Sequence, residues 1–336
     1  MRTFIPRFFS IDAREAEFSR RGFSCSSAEK RERLELAGKT FLHGYHAALA
    51  EDDLPALAQQ LDHVGKKYQG FAYEGAAMAL ALLDGLTPGG DRFLRFAVGE
   101  GKRHIYMLHV GAGWAMARLP WLRWRPEAAM RKYHPVLRWL AMDGYGFHEG
   151  YFHWQLRITA RRVPARLSPT ARHIFYQGLG RSLWFVYGAD SDAIAATVAE
   201  FDAPYQSDLW SGVGLACTYA GGMDTAEINT LIHHAAEHRA ALAQGAAFAA
   251  KARQLAGNLA AHTEAACALL CGMSTADAAL LCDQTFQQLD DRHECAYQQW
   301  RELLQHHLRS STESSEILKR EKSHESICEL VPPKPY

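Results

Sequence analysis

Apolar positions along this chain recur at helical spacing, and the alternation expected of strands is scarce. Two kinds of segment take turns. Short amphipathic runs such as LPALAQQLDHV, AIAATVAEF, AEINTLIHHA and ADAALLCDQTF each follow an Asp, Ser or Thr suited to cap a helix N-terminus. Asp52-Asp53, Asp190-Ser191-Asp192, Asp224-Thr225 and Ser274-Thr275 are the stretches expected to supply these caps, with Pro55 in the first turn of its helix. Between them lie longer, almost wholly apolar stretches interrupted by glycine, including HVGAGWAMARL and YQGLGRSLWFVYG. The pattern predicts an all-α protein.

The glycine pair of YQGLGRSLWFVYG invites a dinucleotide loop. The third glycine of that fingerprint is absent, however, because Leu183 and Trp184 stand where it should come, and Ser168 with Pro169 opens a helix in place of a strand. These glycines belong to a different pattern. Gly38, Gly70, Gly111, Gly144, Gly178, Gly212 and Gly245 follow one another at spacings of 32, 41, 33, 34, 34 and 33, each with a small residue two positions later. A small residue in a first helix at a period near 34 predicts an α-solenoid of stacked helical hairpins, the glycines allowing close helix–helix approach. The units resemble a tetratricopeptide array, most closely from 173 to 290 and least from 105 to 165. Residues 1–29 read as an N-terminal extension, 30–308 as the helical-repeat domain, and the polar, proline-ended 309–336 as a disordered tail.

Composition narrows the setting. The 336 residues carry no net charge and 48% are hydrophobic, without any apolar run long enough for a bilayer, so the expectation is a cytoplasmic protein with no transmembrane segment. Seven scattered cysteines suit reduced thiols better than a disulfide framework. Cys267, Cys271, His293 and Cys295 make zinc conceivable, yet their spacing matches no standard finger, and no metal site is predicted. No cofactor is specified. The neutral total hides a division: Arg118 to Arg172 holds 11 bases and 3 acids, whereas His173 to Trp300 holds 14 acids and 5 bases. That basic stretch suits an anionic partner, and Arg157, Arg161 and Arg162 are its candidate docking residues. With no recognised module and a neutral total, nucleic acid is not expected. Within it, WAMARLPWLRWRPEAAMRKYHPVLRWL alternates Trp, Leu and Arg. Such a segment either lies on an anionic surface or buries its Trp and Leu in the core with a rim of snorkelling Arg, and the second is the simpler expectation.

Five stretches together resemble one family: YQGFAYEGAAMALALLDG (68–85), HVGAGWAMARL (109–119), LRWLAMDGYGFHEGYFHW (137–154), GLGRSLWFVYGAD (178–190) and DLWSGVGLACTYAGG (208–222). That family is known mainly from gene clusters that make enediyne and related polyketides. The resemblance implies a pathway context and carries over no catalytic residue.

Polar exceptions on the apolar helices are the candidates for chemistry. Glu149 and His153 lie four apart in GYGFHEGYFHW, on one helix face, with His148 adjacent. They predict either a catalytic or metal site or a buried structural pair. Aligned on the repeat glycines, Glu74, His148, Glu149 and Ser182 should share one wall. Arg181 beside them needs a ligand anion or an intramolecular acid such as Glu149 or Asp208. Glu74, Trp114, Tyr176, Arg181, Ser182 and Trp184 are the candidate ligand-binding residues. The expectation is an accessory protein that binds a polyketide intermediate or an acyl carrier protein on a concave surface. One alternative is an enzyme acting on an unsaturated hydrophobic chain through His148, Glu149, His153 and Arg181. Another is a pure adaptor between pathway enzymes.

Overall fold

The structure is a computed structural model that describes residues 9–291 and 293–309. The described residues are helical, with no strand among them. Seven long helices form an inner row: α1 (Ala28–Ala50), α2 (Lys66–Leu86), α3 (Ile105–Arg118), α4 (Trp139–Phe152), α5 (Pro169–Val186), α6 (Ala203–Ala220) and α7 (Arg239–Ala256). Each packs against the next in chain order. An outer row is built from the shorter amphipathic helices, and there Ser191–Ala199, Thr225–Ala235 and Ala261–Leu270 again pack consecutively.

The expected caps are present. Asp53 accepts from the Ala56 amide and Asp190 from the amides of Asp192 and Ala193. Asp224 and Glu227 make a reciprocal capping box, and the Ser274 hydroxyl accepts from Asp277. The outer row fails where proline is dense. Between α3 and α4 stand only the short helices Pro120–Trp124 and Pro126–Ala129, and α4 is followed by a single π turn, Gln155–Thr159.

Close approach of the inner helices rests on glycine. Gly113 and Gly144 meet each other's helix across the α3–α4 contact; Gly146 and Gly178 do so for α4–α5, Gly180 and Gly212 for α5–α6, and Gly214 and Gly245 for α6–α7. A Cβ at any of these positions would stand closer than 3.0 Å to a facing backbone carbonyl oxygen. All six glycines from 70 to 245 in the sequence series are helical, and five of them face the preceding helix in this way.

Gly70 corrects the register. It lies in α2, but its neighbour is the Tyr219 hydroxyl of α6, and the residue that meets α1 is Gly75, opposite Gly44. Gly38 likewise meets Ala16 of the N-terminal segment. Gly38 and Gly70 are small for other contacts, so sequence spacing alone misplaced the first two units by four or five residues.

Helices distant in this order also touch. Phe71 of α2 packs edge-on against Tyr219 of α6, and Arg253 of α7 donates to the carbonyls of Lys67 and Tyr219. The inner faces of α2 to α7 therefore enclose a common interior. Residues 296–309 form a last helix, which sends Tyr297, Trp300 and Arg301 into it. From the other end of the chain, residues 11–25 run from α1 across to α4 and α5: Tyr151 donates to the Glu15 carbonyl, Arg21 to the carbonyls of Tyr151 and Phe152, and the Ser24 amide to Val186. The N-terminal extension is thus part of the packed body from Phe9 onward. The tail expected from 309 lies outside the described residues apart from Arg309, which is helical.

One core expectation is overturned. Trp114 and Trp139 are buried, but Trp121 and Trp124 are 54% and 59% exposed, because Pro120 and Pro126 confine them to a five-residue helix that turns away from the inner row.

Candidate functional site

Immediately before the glycine that faces the preceding helix stands Glu74 in α2, Asp143 in α4, Gln177 in α5, Ser211 in α6 and Gln244 in α7. All five are buried. Equivalent positions on neighbouring helices come together, and these polar side chains pair across them. Gln177 donates to Asp143 Oδ2 at 2.8 Å, and the Ser211 hydroxyl to Gln244 Oε1 at 2.8 Å. The last helix completes the network: Gln177 also bonds the Tyr297 hydroxyl at 2.9 Å, while Arg301 pairs with Asp208 at 2.7 Å.

Arg181 is the cation of this layer. Its Nη1 is ion-paired to Asp143 Oδ1, its Nη2 lies 4.0 Å from Glu74 Oε1, and its guanidinium sits over the Phe147 ring at 4.6 Å. The partner acid is therefore Asp143 with Glu74 nearby. Glu149 and Asp208 are occupied by Arg157 and Arg301 instead. Burial by itself would favour a neutral guanidine, but Asp143 and Glu74 outweigh it and hold Arg181 charged.

Above this layer lies a narrow aromatic cavity walled by Phe41, Phe71, Trp114, Phe147, Tyr151, Phe152 and Phe185. Glu15 and Ala16 of the N-terminal segment also line it, and so does Glu74. Glu74 is 1% exposed, and its Oε1 has no hydrogen-bond partner; neither has the Trp114 indole nitrogen. Burial lifts the Glu74 carboxyl to about 7; Arg181 opposes the rise and Asp143 adds to it. A buried carboxyl that exchanges its proton near neutral pH, beside a fixed guanidinium and aimed into an apolar space, can hold or pass a proton at a ligand oxygen or carbon. On the far side of Arg181 a second apolar space is walled by Met107, Val110, Leu140, Leu215, Phe248 and Trp300.

Glu74, Trp114 and Arg181 are thus brought together. The other candidates go elsewhere. Trp184 donates to the Gly221 carbonyl, Tyr176 stacks on Tyr205 at 4.2 Å between centroids, and the Ser182 hydroxyl donates back to Leu179. Because Gly70 was the wrong anchor, Glu74 belongs with Asp143 and Gln177, not on a wall with His148 and Ser182.

The pair Glu149–His153 does not form. The helix ends at Phe152, so His153 leaves the helical path and is exposed, while Glu149 Oε2 accepts from Arg157 Nε at 2.7 Å. Burial pushes the Glu149 carboxyl up, but His148 and Arg157 outweigh it and bring it to about 2. His148 lies 3.8 Å from Glu149 Oε1, beyond hydrogen-bonding distance, and burial draws its pKa down to about 4. It borders a separate recess with Phe9, Arg21, Arg118 and His153. Of the three docking arginines, Arg157 is committed to Glu149 and Arg161 pairs with Glu200, while Arg162 is exposed. The six cysteines among the described residues are free thiols. No single helix among those residues is long and apolar enough to cross a membrane.

A family model described as protein of unknown function (DUF1702) matches residues 1–308. The chain belongs to this family. No curated protein and no solved structure matches it significantly. For this DUF1702 member, Glu74 and Arg181 were legible as candidates but Asp143, Gln177, Ser211 and Gln244 were missed, yet a signal for them exists: a polar residue directly precedes the glycine that faces the preceding helix in five of the seven long helices.

Proposed function

We propose that this protein encloses an elongated apolar small molecule in the aromatic cavity, with Glu74 and Arg181 meeting its polar end. One observation carries the reading: Glu74, 1% exposed and with an Oε1 that makes no hydrogen bond, lines a cavity walled by seven aromatic rings. A carboxyl left unpaired in such a place costs stability, and a ligand group that bonds to it removes that cost. The stretches that resemble the enediyne-associated family make an unsaturated polyketide chain the first ligand class to try. Consecutive packing of the seven inner helices, with facing small residues near every 34 positions, supports an α-solenoid of tetratricopeptide-like hairpins wound tightly enough to close on its ligand.

The proton held by Glu74 near neutral pH favours a catalytic form of the same reading, in which Glu74 acts as general acid or base on the bound chain. His148, Glu149 and His153 play no part in it. Native mass spectrometry of the protein purified from its producing host tests the binding step. The expected result is a co-purified apolar compound that is lost in Ala37→Phe, which fills the cavity wall. A wild-type protein that carries no compound and does not enhance the fluorescence of a conjugated polyene fatty acid would refute the proposal.

A further inference from the structure

Trp121 and Trp124 stand three residues apart on the helix Pro120–Trp124 and are both more than half exposed. Trp121 donates to the Gly85 carbonyl at 3.3 Å, and the Arg166 guanidinium covers one face of Trp124 at 3.5 Å. Along the same stretch Arg123, Arg125, Arg131 and Lys132 are exposed, and so is Arg118, which lies over Phe152 beside the recess at His148. Among the described residues none of these five is in an ion pair within 4.0 Å. The sole acid between residues 118 and 138 is Glu127, half-buried and accepting from the Ser168 amide. Leu86, at the end of α2 next to Gly85, adds exposed apolar surface.

We infer that this face is a membrane-docking surface, on which Trp121 and Trp124 enter the headgroup region of a bilayer carrying anionic lipid. Indoles favour that depth because their rings are apolar and their N–H groups still find acceptors. The surrounding guanidinium groups supply the matching charge, each cation adding attraction to an anionic leaflet. An acidic protein would satisfy the charge as well. It would also need shaped relief to seat its side chains, because interface hot spots lie in well-packed pockets. Trp121 and Trp124 border neither the aromatic cavity nor the recess beside His148. A lipid surface needs no such pocket. The surface stands independently of what the interior binds.

Co-flotation with vesicles of phosphatidylcholine alone, and of phosphatidylcholine mixed with phosphatidylserine, tests this on the full chain. The wild type should float with the mixed vesicles, release as salt rises through the physiological range, and stay down with phosphatidylcholine alone. Trp121→Ser with Trp124→Ser should weaken mixed-vesicle binding by roughly tenfold. Arg123→Glu with Arg125→Glu should weaken it at least as much, and removes no ion pair among the described residues. Thermal melts of both variants should match the wild type. Failure of the wild type to float, or equal flotation of both variants, overturns the inference. So does binding of these same residues to an acidic carrier protein while vesicles are ignored, which would assign the face to a protein partner.

Discussion

Replacing Glu74 by Gln keeps the shape of the side chain and removes its proton. In the unfolded chain this carboxyl titrates at its ordinary 4.5; in the fold it holds its proton up to about 7. Between those values the unfolded state binds fewer protons than the native state, so stability falls as pH rises, and the whole loss is in place once pH exceeds the folded value. At about 1.4 kcal/mol per unit, the span corresponds to roughly 3 kcal/mol. The Gln variant lacks that contribution at every pH. The wild type minus variant difference in unfolding free energy should therefore drop by roughly 3 kcal/mol between pH 4.5 and 7 and stay level above. Taking the difference removes the contributions of Glu149, His148 and other groups that do not interact with Glu74. Urea unfolding of both proteins across a pH series measures it. A difference that is flat with pH, or that rises with it, would mean Glu74 is already ionised in the fold, with Arg181 as a full partner. Bound ligand should shift the same titration, since a hydrogen bond to Oε1 favours whichever protonation state makes it.

Three further substitutions probe the frame around the cavity. Gly178→Leu pushes a side chain into the Asp143 backbone carbonyl and should cost roughly 1–3 kcal/mol or more, whereas Gly65→Ala, which meets nothing within 4 Å, should leave the melting temperature nearly unchanged. Equal melts for the two would contradict the close helix approach. Glu149→Gln weakens the acceptor of the mostly buried Arg157 and should lower stability by roughly 1–3 kcal/mol, while ligand content per folded molecule stays constant. A stable variant that no longer carries ligand would return Glu149 to the site.

Sequence alone fixes the helical class, and the reason is local. Periodicity, caps and breakers act within a turn or two, so the capping stretches that hold Asp53, Asp190, Asp224 and Ser274 could be read from their own neighbours. The packing role of most of the recurring glycines was legible for the same reason, because a residue without a side chain in an apolar helix has few other uses. Arg181 could be identified as needing a partner from the cost of burying its charge. Its partner could not be named. Asp143 lies 38 residues away and became the counter-ion only when α4 and α5 met glycine to carbonyl. Gly70 shows the limit in the other direction: its small size answers to Tyr219, a contact made only because α2 and α6 face one another across the interior. That one displaced anchor moved Glu74 to the wrong wall. Likewise the four-residue spacing of Glu149 and His153 promised a shared face, which the end of the helix at Phe152 removed. The enclosing of a cavity by the N-terminal segment, and the entry of Tyr297 and Arg301 from the last helix, join parts of the chain far apart in sequence. Such contacts depend on how the inner helices stack and curve together, a sum of many small interhelical geometries that no local stretch of residues encodes.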